Sequence, residues 1–111
     1  MSVVRRARAA IVLLLVFLWD VLAASLGVAR IVLSPRIRTH PAILIVPTAL
    51  QRPWAVATFA YFLSLTPGST CLHVSEDRER LYVHVLDAPD PQRAVDRFKS
   101  LYERWIRELE A

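Results

Sequence analysis

Eleven consecutive apolar residues run from Ala9 to Trp19. After Asp20 the apolar character resumes through residues 21–24, 26–29 and 31–33, until Ser34-Pro35 ends it. As an α-helix the stretch 9–33 is ~37 Å long at ~1.5 Å per residue. Hydrocarbon is crossed by roughly 20 residues, so the pattern predicts one transmembrane helix with some tilt. Residues 36–41 form a short polar linker closed by Pro41. Residues 42–46 (Ala-Ile-Leu-Ile-Val), stopped by Pro47, predict a buried strand. Residues 53–65 predict a helix, opened by a proline in its first turn and stopped by Thr66-Pro67-Gly68. It carries no charge and is apolar almost all round. At ~20 Å it is too short to span a bilayer, so both of its sides need cover.

Residues 70–75 and 80–87 alternate around Glu76-Asp77-Arg78-Glu79 and predict a hairpin. Pairing 75 with 80, 74 with 81 and 72 with 83 places Leu72, Val74, Leu81, Val83 and Val85 on one face. Cys71, His73, Tyr82 and His84 then share the other, with Cys71 opposite His84. Asp90-Pro91 is an N-cap followed by proline at the first helical position. The helix after it buries Val95, Phe98, Tyr102, Trp105 and Leu109, at alternating spacings of three and four. The predicted fold is therefore α+β and membrane-anchored. A basic N-terminus and transmembrane helix (1–35) and a linker (36–41) lead into a β-α-β-β-α two-layer domain (42–111).

Composition changes this picture in two places. The chain has 111 residues, of which 55% are hydrophobic and 22% charged, and its mean hydropathy is +0.37. One domain with an appendage fits; a multidomain enzyme and a disordered chain do not. The net charge of +4 is unevenly spread. Residues 1–52 hold seven Arg and one acid, for +6, and residues 53–111 hold seven basic residues and nine acids, for −2. Six of the seven basic residues in the first half bracket the apolar run: Arg5, Arg6 and Arg8 before it, Arg30, Arg36 and Arg38 after it. That arrangement marks a membrane interface and not a nucleic-acid groove. The same three leading arginines resemble the start of a cleaved signal peptide, with Val21-Leu22-Ala23 as its cleavage site. The apolar run continues well past that point, which favours a retained helix. Cys71 is the only cysteine, so no intrachain disulfide forms.

The chemistry-bearing residues are few. Asp20 and Ser25 are the candidate intramembrane polar contacts of the apolar run. A carboxylate at the bilayer centre costs ~2.5–3.5 kcal/mol, so Asp20 requires a partner or a proton. It either lies on a proton or ion path, contacts a neighbouring subunit's helix, or sits near the interface because the span is shifted. Arg30, ~15 Å along the helix from Asp20, is an interfacial anchor. Trp54, Phe59 and Phe62 are the candidate subunit interface on the uncharged helix. No catalytic triad, phosphate-binding glycine loop, metal site or cofactor site is expected: Cys71, His73 and His84 lack a further ligand on their face.

Several of these segments resemble one family. Phe17-Leu18-Trp19-Asp20, Ser25, Val28-Ala29-Arg30 and Leu33-Ser34-Pro35 are similar to the end of the membrane part of the E-type subunits of Mrp-type (Mnh, Pha) monovalent cation/proton antiporters. So are 63–69 with Thr66-Pro67-Gly68, Val74-Ser75-Glu76-Asp77, and the strand around Tyr82-Val83-His84. The resemblance covers roughly residues 15–105. It departs in having less hydrophobic sequence before the helix, as in a short form with fewer spans, and in Cys71 and His73, which stand where other residue types are usual. It implies a non-catalytic subunit of a complex exchanging Na⁺, Li⁺ or K⁺ for protons, supporting its assembly and stability. Its partners would be the other subunits and the bilayer, with no nucleic acid, small-molecule substrate or cofactor. It also implies the bacterial inner membrane, with the domain on the cytoplasmic side. The alternative is a membrane-anchored or secreted small binding domain unrelated to transport.

Overall fold

The computed structural model describes residues 3–35 and 39–110, so Arg36 and Arg38 lie outside the described residues. The elements are α1 (Val3–Leu33), β1 (Ala42–Pro47), α2 (Pro53–Leu65), β2 (Ser69–Val74), β3 (Arg80–Val85) and a long C-terminal helix. That helix consists of α3 (Pro91–Phe98), a π-helical segment (Lys99–Glu103) and α4 (Arg104–Glu110). A long apolar helix followed by a small β-α-β-β-α domain is the architecture that the sequence pattern implies. Asp90 caps α3, its side chain accepting from the Arg93 N–H. At the start of α2 the acceptor comes from far along the chain: the Glu110 carboxylate takes the N–H groups of Gln51 and Arg52.

The sheet is antiparallel in the order β1-β3-β2. Its inner face is Leu44, Val46, Leu81, Val83 and Val85, all buried, and it packs against α2 and α3. Strand β1 is less buried than its unbroken apolar run suggests, because Ile43 and Ile45 point to the open face and are 62% and 55% exposed. The hairpin register is as expected from Val74↔Leu81 to His73↔Tyr82, then changes. Beyond it Cys71 pairs with Val83 and not with His84, and Leu72 is 56% exposed. Strict alternation places Cys71 and Val74 on opposite faces, yet both pack against the core. The bulge at Leu72 reconciles them, and Ser64 of α2 holds it by accepting the Cys71 N–H.

Two further departures determine the functional site. First, α1 does not stand away from the domain. It lies along the C-terminal helix and supplies Ala9, Leu13 and Asp20 as buried residues. Phe17 meets Phe62 of α2 edge-on, and Phe62 stacks on Tyr102 of the C-terminal helix. The two-layer domain thus has α1 as an additional layer, and a cleaved leader would remove part of its core. Second, the π segment shifts the C-terminal helix by one residue. Val95, Phe98 and Tyr102 are buried as their spacing requires, but the next buried positions are Glu103 and Ile106. Trp105 and Leu109 are only partly covered. A π turn holds about one residue more than an α turn, so every position beyond it rotates.

Candidate functional site

The candidate site is the junction of α1, the α2–β2 turn and the C-terminal helix, centred on Asp20. The Asp20 side chain is 1% exposed. One carboxylate oxygen, Oδ1, accepts from Arg97 Nη2 at 2.6 Å. The other, Oδ2, accepts from Thr66 Oγ1 at 3.0 Å and from the Tyr102 hydroxyl. Thr66 and Tyr102 also touch each other, at 3.2 Å. Thr66 Oγ1 lies 2.9 Å from the Phe62 carbonyl as well, so its single proton serves either that carbonyl or Asp20. Three elements therefore meet at one carboxylate, and removing any partner leaves a polar group without its bond.

The sequence explains the convergence locally. Proline stops α2 at Pro67, and Gly68 takes φ +87°, a left-handed backbone that a Cβ would strain. A Cβ there would also lie 3.4 Å from Val28 Cγ2 of α1. The turn therefore brings α1 close and presents the Thr66 hydroxyl to it. On the C-terminal helix, five residues of regular α-helix would leave Arg97 and Tyr102 about 140° apart around the axis. The π segment, whose bonds run between residues five apart, brings them toward one face. Burial and the bond to Asp20 together raise the Tyr102 phenol above its ordinary pKa, which keeps it a proton donor.

The sequence singled out Asp20 but did not identify its partners. They belong to this same chain, and no signal in a regular helical reading identifies Arg97 and Tyr102 as a pair. Thr66 stood out only as part of a helix stop. Ser25 and Arg30 are both exposed, on α1. Of the three α2 residues expected at a subunit interface, two pack within this chain. Phe59 is fully buried, and Phe62 meets Phe17 edge-on and stacks on Tyr102, because both lie on the side of α2 turned toward the sheet and the other helices. Trp54 alone of the three is exposed, at 47%. Of the strand motif, Val83 is core, while Tyr82 and His84 lie on the open face, with Tyr82 beside the His73 ring. Burial raises the Cys71 thiol, and among the described residues no three His, Cys, Asp or Glu side chains cluster.

A second buried carboxylate escaped sequence reading. Glu103 in the π segment is 5% exposed. Its Oε1 accepts weakly from the Ala49 N–H at 3.4 Å, Lys99 Nζ lies 4.0 Å from Oε2, and Oε2 has no hydrogen-bond partner. On the outer side of α1, by contrast, Ile11, Leu14, Leu15, Leu18, Trp19 and Leu22 are more than half exposed. Helix α1 is the one described helix long and apolar enough to cross a membrane.

Three comparisons bear on this arrangement. A family model described as MNHE, Na⁺/H⁺ ion antiporter subunit, matches residues 1–109. The E1 subunit of the Na⁺/H⁺ antiporter of Staphylococcus epidermidis is 32% identical over 99 residues, covering 89% of this chain and 62% of its own length. The chain thus spans about three fifths of that curated relative. Among solved structures, an archaeal respiratory membrane complex, the membrane-bound sulfane sulfur reductase, contains a chain with TM-score 0.77 and 28% identity. The match covers 92% of this chain and 63% of that one. The Mrp complex of Dietzia sp. DQ12-45-1b contains another, with TM-score 0.63, 26% identity and coverages of 85% and 89%.

Proposed function

This chain belongs to the MNHE family of Na⁺/H⁺ ion antiporter subunits, and on that premise we propose that it is a non-catalytic E-type subunit that helps a multisubunit cation/proton antiporter assemble and stay assembled. The transported cation is Na⁺, with Li⁺ or K⁺ as further candidates, and the β-α-β-β-α domain faces the cytoplasm. The observation that carries the reading is that the family match runs through α1 and the domain together. The unit matched is the whole docked assembly. Its role follows from its two sides. The Asp20 contacts hold α1 to the domain, and the outer face of α1 presents a continuous apolar strip to lipid and to the hydrophobic helices of partner subunits.

Docking limits how α1 meets the bilayer. Alongside its first half runs the C-terminal helix, with Arg93, Asp96, Arg104 and Arg107 exposed. Each charge placed in hydrocarbon costs ~2.5–3.5 kcal/mol. While α1 stays docked, that half has lipid on its outer side only. Asp20, with Arg97 and two hydroxyls on it, serves as a structural latch in this reading and not as a conducting group.

The test is purification of an affinity-tagged chain from membranes that also express the large polytopic subunits. We expect those subunits to copurify, and Asp20→Leu to reduce their recovery along with antiport activity. Recovery of the tagged chain alone, with antiport unchanged in its absence, would refute the role.

A further inference from the structure

Beside the Asp20 cluster lies a cleft of about 330 Å³ between the second half of α1, the turn 66–69, the end of β3 and the C-terminal helix. Its floor is apolar, with Val28, Ile31, Leu86 and Phe98. Its cations are Arg30 and Arg97. Arg97 is about half exposed and uses Nη2 on Asp20, which leaves it further N–H donors. Arg30 makes no hydrogen bond or ion pair among the described residues. Asp87 also lines the cleft, its Oδ1 accepting the backbone N–H of His40 at 3.0 Å with the imidazole at 3.4 Å, so the cleft sets two guanidinium groups against one carboxylate. At Gly27, a lining position, an added Cβ would meet nothing within 4 Å. Glycine inside a helix is ~1 kcal/mol less favourable than alanine, and here no packing neighbour accounts for it.

We propose that this cleft binds the phosphate group of an anionic phospholipid. Guanidinium groups bind phosphate through paired N–H donors. A soluble phosphate compound would use the two arginines but not the apolar floor. On α1 the lining residues end at Ile31, and the next two positions, Val32 and Leu33, are apolar and 68% and 83% exposed. A bilayer lipid therefore supplies both halves of the match, with its phosphate at the arginines and its glycerol and upper acyl carbons along Val28 and Ile31.

The experiment is native mass spectrometry of the full chain in detergent, titrated with phosphatidylglycerol and separately with phosphatidylcholine. The expected result is one retained phosphatidylglycerol, held about tenfold less well by Arg30→Gln and by Gly27→Leu. The second variant keeps every charge and fills the cleft, and its leucine favours the helix, so folding is preserved; thermal melting confirms that. Arg8→Gln, at the other end of α1, should bind like the parent. Equal retention of phosphatidylcholine, or no effect of Arg30→Gln and Gly27→Leu, would overturn the proposal. Displacement of the lipid by millimolar inorganic phosphate would overturn it too, in favour of a soluble anion site. None of these outcomes bears on the assembly role, which copurification reads separately.

Discussion

Asp20 and Glu103 are both carboxylates taken out of water, and the fold treats them differently. Asp20 receives an arginine and two hydroxyls from two other elements, with donors at both oxygens. Glu103 receives one long backbone N–H and a lysine at 4.0 Å, and leaves an oxygen without a hydrogen bond. Burial therefore does not by itself make a polar residue structural. A carboxylate holds two elements together only when donors from both reach it, and otherwise it costs stability. The difference has a geometric source: the π segment rotates Tyr102 onto Asp20 and, in the same turn, carries Glu103 inward.

The largest test of this contrast is Asp20→Leu. It strands Arg97, Tyr102 and Thr66 at once, and breaking a buried pair by removing one partner costs ~3–5 kcal/mol. Because Arg97 is about half exposed, the lower end applies, about 3 kcal/mol. Chemical denaturation in mild detergent should show the loss, and limited proteolysis should cut between α1 and β1 sooner. A change below about 1 kcal/mol would mean that the latch does not hold α1.

Tyr102→Phe comes next. It removes one hydroxyl donor from a charged acceptor, an interaction worth ~1.5–3 kcal/mol, and keeps the ring stack on Phe62. The same variant reveals a pH dependence. The Tyr102 phenol is raised in the folded state, so the folded chain keeps a proton that the unfolded chain loses near its ordinary pKa of ~10. That contribution is fully present below pH ~10 and declines as pH rises above it toward the folded value. The parent should lose stability as pH rises above about 10 by this route, and the gap to Tyr102→Phe should narrow. A constant gap would show that the hydroxyl does not sense the buried site.

Glu103→Gln should have the smallest effect. The amide oxygen can keep the Ala49 N–H while a poorly paired buried charge disappears, so stability should change by less than about 1 kcal/mol, in either direction. A loss as large as that of Asp20→Leu would place Glu103 in a network of its own and erase the contrast.

How much of this was legible varies by element. The helix at 53–65, its Thr66-Pro67-Gly68 stop, the hairpin turn and the Asp90 cap could be read directly, because proline, glycine and capping side chains act within a few residues. An aspartate inside an apolar run also declares itself, since a charge there needs partners. The identity of those partners was hidden, because Arg97 and Tyr102 lie 77 and 82 positions away. The bulge at Leu72 was equally hidden: alternation predicts a face for each residue but not which two residues must share one.

Taken alone, the sequence determined the order and type of the elements, the long apolar helix, and the family whose pattern they follow. These depend on local propensity, hydrophobic period and short motifs. Tertiary structure decided that α1 lies along the domain, that Phe59 and Phe62 face inward, and that a π turn sets the positions beyond residue 98. Those outcomes depend on which surfaces meet, and one added residue in a helical turn redirects every side chain after it.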